Sequence, residues 1–438
     1  MTRTAFSPPS GPVEGFRDGE VVRALGIPYA TARRFEPPAP AADRRDILHA
    51  VTPAPACPQA PVPFLDAVLG TRPGELPGDE NCQNLSITLP GDLAPGETVP
   101  VMVWIHGGSY TSGAGDLAIM DPAPLVREQR VIVVSVTYRL GLFGYLASGD
   151  RPANLGLLDQ IEALRWVQRN IAAFGGDPGR VTAFGESAGG DAVAHIMATP
   201  DAPALFTRAI IQSAPLGISR GRHRMSAAMG RAATVVTDDM PALDVVALQE
   251  QVTAPAKRYG LLGGMPFGTQ YGHAPLPSER EIDAAWNATA PSIEVLIGNT
   301  AEEARLFVAR VPAAARLAAV PVLGAAVVSG LVRALTGIVY GRPAARFARR
   351  HRRAGGVAHR YRITWAAPGN AYGSCHTIDL PLLFGTGTTW SRAALVAGAT
   401  ESSLAEAGRG VRQVWGDFAH GRLAAAGAVP GTLTHHRL

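Results

Sequence analysis

The chain has 438 residues, 47% of them hydrophobic, and a formal net charge of only +4. Lys257 is its one lysine, so almost all the positive charge is arginine, and so small a net charge on a chain this long excludes nucleic acid as the expected partner. The three cysteines, Cys57, Cys82 and Cys375, show no C-x-x-C or Cys/His spacing, which excludes a disulfide scaffold and a structural zinc site.

The opening MTRTAFSPPSGP lacks an apolar core long enough for a secretory signal, so the expected location is cytoplasmic. Residues 11–30 predict two paired strands around the polar turn Arg17-Asp18-Gly19. The Pro/Ala-rich stretch 36–78 predicts a long surface loop, followed by a short strand at 84–88. VMVWI (101–105) and VIVVSV (131–136) are continuous apolar runs, as strands buried on both faces require. Between them, 120–130 has helical character. Residues 155–173 carry apolar side chains at mainly helical spacing and end at Gly175-Gly176. Then come a strand at 181–186, a helix at 188–198 and a strand at 208–213, an alternation that means parallel βαβ units.

That alternation breaks over 217–290, a Gly-, Pro- and Met-rich stretch that predicts an inserted cap or lid. IEVLIG (293–298) resumes the sheet. A second, largely helical insertion is expected over about 304–353. Its apolar run 317–332 reads as a buried or lid helix, and its six-Arg run 342–353 as a solvated helix face. Residues 357–365 alternate as a strand, the tail from 391 is mostly helical, and 421–438 is expected to be loose. The whole predicts one α/β domain over 1–438.

Two motifs carry chemistry. FGESAGG (184–190) fits G-x-S-x-G at Gly185, Ser187 and Gly189, with a strand before it and a helix after it. A nucleophile on so sharp a turn needs small neighbours, and the helix start behind it offers N–H groups to developing negative charge. HGGS (106–109) follows directly on the run 101–105, and its paired glycines expose two N–H groups. With the N–H of Ala188, those of Gly107 and Gly108 are the expected oxyanion hole. A base must follow the nucleophile. Of the histidines after Ser187, His376 stands out, because it sits in a polar loop (AYGSCHTID) after the strand 357–365. Glu302 and Glu303, after the strand 293–298, are both candidates for the acid, and local reasoning does not separate them.

With these motifs stand GIPYA (26–30), Arg34-Phe35, ENC (80–82), VTYRLGLFGYL (136–146), AIIQS (209–213), VLIGNTAEEARLF (295–307) and CHTIDLPLLF (375–384). Together they resemble the type-B carboxylesterase family, which includes the bacterial p-nitrobenzyl esterases and is related to the cholinesterases. The resemblance implies an α/β-hydrolase fold, with a mostly parallel sheet and helices on both faces. It also implies a serine hydrolase that cleaves small-molecule carboxylic esters through an acyl-enzyme, with no cofactor, metal or membrane and as a monomer or homodimer. The family pattern puts the triad acid on Glu303 and the base on His376, Ser213 in support of the acid, and structural ion pairs at Arg34–Glu80 and Arg139–Asp159. It aligns Cys57 and Cys82 with a disulfide of secreted members, expected here to be reduced or only facultatively bridged. The loop 57–82 has no Trp, so the aromatic cation site of a cholinesterase has no counterpart there, and choline esters are not expected substrates.

Overall fold

A computed structural model describes residues 2–72, 74–308, 316 and 323–438. The continuous apolar runs become neighbouring strands at the centre of one sheet. In chain order the strands are β1 (Arg3–Phe6), β2 (Val13–Asp18), β3 (Val21–Pro28), β4 (Asn84–Pro90), β5 (Val99–Ile105) and β6 (Ile132–Val136). They continue with β7 (Gly176–Glu186), β8 (Arg208–Gln212), β9 (Glu294–Thr300), β10 (Ala358–Ile363), β11 (Ala426–Val429) and β12 (Leu433–Arg437). Their spatial order is β1-β2-β3-β4-β6-β5-β7-β8-β9-β10-β12-β11, and the two-residue strand Leu48–His49 pairs with β2. From β6 to β10 every pairing is parallel, while the numbered strands of both flanks pair antiparallel and Leu48–His49 runs parallel to β2.

Period-two alternation divides each central strand between two cores. Val101, Val103 and Ile105 of β5 join a core with the helices Leu155–Asn170 and Ala188–Ile196. Met102 and Trp104 join the opposite core with the helices Ala123–Gln129 and Glu401–Ala419. Because both faces are covered, these strands have no polar side to show, which is why their sequences read as unbroken apolar runs.

Between β8 and β9 lie the helices His223–Ala232, Ala242–Thr253 and Ile282–Thr289. Between β9 and β10 come Arg305–Val308, Leu323–Thr336 and Arg342–Arg353; 309–315 and 317–322 lie outside the described residues.

Two expectations fail. The tail 421–438 is not loose: β12 pairs antiparallel with β10 and β11 with β12, so the tail completes the sheet edge. The stretch 36–78 contains the helix Pro63–Leu69, with Pro63 at its first position, where the missing N–H costs nothing. The run 317–332, expected as a buried or lid helix, lies in part outside the described residues; in its described part Val327 is 51% and Leu331 41% exposed, so of the two alternatives a buried helix does not fit. Among the described residues, that helix packs a narrow stripe, Val328, Val332 and Leu335, against Ala304 and Val308, and its Thr336 Oγ1 accepts from Ala304 N (3.1 Å).

Candidate active site

Ser187 stands between β7 and the helix Ala188–Ile196, at φ 57° and ψ −121°. A non-glycine residue held there stores about 1–3 kcal/mol of backbone strain, so its surroundings must fix it. The Ser187 N–H donates to Gln212 O on β8 (2.9 Å), and Ser187 O accepts from Asp191 N (2.9 Å). The motif glycines follow from crowding. A Cβ on Gly189 would lie 1.9 Å from Ile105 O, where the helix start presses on the end of β5.

His376 comes from the loop after β10. Its Nε2 is 2.8 Å from Ser187 Oγ, and its Nδ1 is 2.5 Å from Glu303 Oε2. A carboxylate only accepts, so Nδ1 carries the proton and Nε2 is left to accept from the serine hydroxyl. The other Glu303 oxygen accepts from Ser213 Oγ (2.6 Å) and Thr300 N (2.6 Å), so the carboxylate, fully buried, has donors at both ends. Glu302 points elsewhere: it pairs with Arg305, and its other oxygen accepts from Ser374 N (3.3 Å). The structure therefore brings Ser187, His376 and Glu303 together and leaves Glu302 out. The ion pairs Arg34–Glu80 and Arg139–Asp159 both form, the second with both side chains buried.

Gly107 and Gly108 follow β5 and face the start of the Ser187 helix. Their N–H groups and that of Ala188 have no acceptor among the described residues. Gly107 and Gly108 line the same cavity as Ser187, and Ala188 follows it in the chain, so three N–H groups without an acceptor belong to residues around the nucleophile. Gly108 has φ 109°, and a Cβ there would meet Ser112 O at 2.0 Å.

Two buried acids here carried no role in the sequence reading. Glu186 Oε1 lies 3.3 Å from His376 Nε2 and has no hydrogen-bond partner among the described residues. Asp379 accepts from Gln212 Nε2 (2.7 Å), and Trp415 Nε1 donates to Gln212 Oε1 (3.1 Å). Burial pushes the Glu186 carboxyl well above the usual carboxylate range, and with help from Glu303 it raises Asp379 to about 6. Burial also opposes a charge on His376, but Glu186 and Glu303 outweigh it and push its pKa up to about 9. A protonated Glu186 would withdraw its share of that pull. The only clue in the sequence was that Glu186 lies inside the nucleophile motif; its burial became visible only with the sheet assembled.

A cavity of about 570 Å³ opens onto Ser187, Gly107, Gly108 and His376. Its walls are mainly apolar, with Leu65, Leu69, Leu117, Ile119, Met120 and Leu306 among them. Phe307 and Tyr340 flank His376, with ring centroids at 5.4 and 5.2 Å. Cys57 and Cys82 are both buried free thiols, and Leu140 N donates to Cys57 Sγ (3.3 Å).

Comparison with known proteins agrees with this geometry. Residues 3–320 match the model of the carboxylesterase family. A Rhodococcus erythropolis protein named "Probable N-octanoylanthranilate hydrolase AqdA2" is 39% identical over 94% of this chain and 92% of its own. The para-nitrobenzyl esterase of Bacillus subtilis is 37% identical over 70% of this chain and 64% of its own. Among solved structures, a thermophilic pNB esterase superposes over 100% of this chain and 98% of its own, with a TM-score of 0.81 at 26% identity. The chain belongs to the carboxylesterase family: it is a serine hydrolase of α/β-hydrolase fold that cleaves carboxylic esters.

Proposed function

We propose that the physiological substrates are esters with an apolar acyl group of medium length. In this reading Ser187 is the nucleophile, His376 the general base and acid, and Glu303 the orienting carboxylate. Gly107, Gly108 and Ala188 supply the oxyanion hole. The observation that carries it is the hydrogen-bonded line from Ser187 Oγ through His376 to Glu303, facing a cavity with mainly apolar walls.

The chemistry is a two-step acyl transfer. His376 Nε2 takes the hydroxyl proton as Ser187 Oγ attacks the ester carbonyl. The three N–H groups hold the oxyanion, and Glu303 stabilises the imidazolium. Collapse breaks the bond to the alkoxy oxygen, which leaves as the alcohol with the proton from His376. Water then attacks the acyl-enzyme with His376 again as base, the acid departs, and Ser187 regains its proton.

A panel of p-nitrophenyl esters from acetyl to decanoyl, run beside Ser187→Ala, tests both parts. Each methylene that enters an apolar wall contributes about 0.8 kcal/mol, so kcat/KM should rise up to about fourfold per carbon until the cavity is full. A fall from acetyl onward refutes the acyl assignment, and turnover by Ser187→Ala above a few per cent of wild type refutes the nucleophile. A second reading, hydrolysis of an N-acylated aryl amine, is favoured by the near-full-length similarity to the N-octanoylanthranilate hydrolase. Its support would be a higher kcat/KM on N-octanoylanthranilate than on p-nitrophenyl octanoate.

A further inference from the structure

The helix behind Ser187 carries a second buried polar chain that the reaction above does not use. It starts on the oxyanion loop. Tyr110 directly follows Gly107-Gly108-Ser109 and is fully buried. Both Ser109 (φ 56°) and Tyr110 (φ 61°) are in the left-handed region that favours glycine. The sequence does not relieve this by supplying glycines, so the loop must be held from outside. Tyr110 Oη donates to Asp191 Oδ2 (2.7 Å), Gly141 N donates to Tyr110 O (2.7 Å), and the Tyr110 ring packs on Tyr145 at 4.3 Å.

Asp191 sits one turn into the nucleophile helix, and its N–H donates to Ser187 O. It is 1% exposed, and its Oδ1 has no hydrogen-bond partner among the described residues. One turn further, His195 is fully buried, with Nδ1 2.7 Å from Asp191 O and 3.4 Å from Asp191 Oδ2. His195 Nε2 is 2.8 Å from Tyr271 Oη, which comes from the stretch between β8 and β9. Burial opposes a charge on His195, while its hydrogen bond to Tyr271 and the Asp191 carboxylate beside it favour one and raise its pKa. His195 and the buried Arg222 guanidinium both lower the Asp191 pKa, and so favour its carboxylate.

We infer that Tyr110 and Asp191 are positioning residues for ester hydrolysis. They clamp the loop carrying the Gly107 and Gly108 donors to the helix carrying the Ala188 donor, and the His195–Tyr271 contact braces the clamp from the inserted segment. The two halves of the oxyanion hole lie on different elements, so their spacing is set by whatever joins those elements. The Tyr110–Asp191 bond joins them directly and touches none of Ser187, His376 and Glu303. Its loss should weaken binding of the tetrahedral state while leaving ground-state binding and the base in place.

This inference rests on Ser187 being the nucleophile. If the wild type hydrolyses no ester, that reading fails; the clamp fails only against an active wild type. The test is Tyr110→Phe, which keeps the ring against Tyr145 and removes one hydroxyl. Loss of a whole oxyanion donor typically costs about 100- to 1000-fold, so a loosened pair should cost about tenfold in kcat. KM should stay within about twofold, and the midpoint of the kcat/KM–pH profile should not move. Affinity for an alkyl trifluoromethyl ketone, whose serine adduct carries the oxyanion, should fall about tenfold in parallel. Tyr271→Phe, at a half-buried position away from the cavity, should shift kcat and ketone affinity the same way by about threefold, and it keeps the idea testable if Tyr110→Phe does not fold. A lower Tm with unchanged kcat and ketone affinity per folded molecule, in either variant, overturns the clamp and leaves the chain of bonds a structural one.

Discussion

Replacing Glu303 by Gln tests the hydrogen-bond logic of the site with almost no change of shape. The structure fixes which way the new amide must face. Ser213 Oγ and Thr300 N both donate to Glu303 Oε1, at 2.6 Å each, so only the amide oxygen suits that position. The amide NH2 is then forced toward His376 Nδ1, 2.5 Å from the present carboxylate oxygen. Two donors cannot face each other, so the neutral imidazole must move its proton to Nε2. That proton points at Ser187 Oγ, and the base can no longer accept from the nucleophile. In a serine protease, the same carboxylate-to-amide exchange lowers kcat about 10⁴-fold through the wrong tautomer, which is about 5 kcal/mol of barrier. We expect a loss of that order in kcat for p-nitrophenyl butyrate, with the Tm within a few degrees of wild type. A loss below about tenfold, in protein shown to be folded, would refute the assignment of Glu303 and the tautomer argument together.

Other expectations follow from the same contacts. His376 must be neutral to act as base, so kcat/KM should rise with pH on a limb displaced above the ordinary imidazole value toward about 9. In Glu186→Gln that limb should move to lower pH; an unmoved limb would mean that Glu186 is already protonated there and that Glu303 alone exerts the pull. Asp159→Asn leaves the buried Arg139 guanidinium without its carboxylate and should cost about 3–5 kcal/mol in urea unfolding, whereas a change under about 1 kcal/mol would contradict the pairing. Deleting 433–438 strips β12 from β10 and exposes the edge that now covers Tyr361 and Ile363, so the shortened protein should aggregate at a lower temperature; unchanged thermal stability would contradict the placement of the tail.

How much of this was legible in the sequence differs from place to place. The central strands were plain because burial on both faces removes polar residues from them. Ser187 and the oxyanion glycines were plain because Gly185, Gly189 and Gly108 stand where a Cβ would strike backbone at 2.5 Å or less. The choice between Glu302 and Glu303 was not local. It depends on Ser213, which is 90 residues away in the chain. The terminal strands were missed because AGAV and LTHHR lack the alternation and β-branched density of a strand. They are strands because β10 offers them an open edge, which is a tertiary reason. The polar chain from Tyr110 to Tyr271 was hidden for a similar reason. Its four residues lie on three segments, and His195 alone looked like one more helix residue.

The proposed mechanism requires Ser187 to be the group that becomes acylated. Treating the protein with a fluorophosphonate and mapping the adduct by peptide mass spectrometry tests it directly. One stoichiometric adduct is expected, on the peptide containing Ser187, formed in step with loss of esterase activity and absent from Ser187→Ala. Full inhibition with the adduct on another residue, or undiminished activity with Ser187 fully modified, would contradict it.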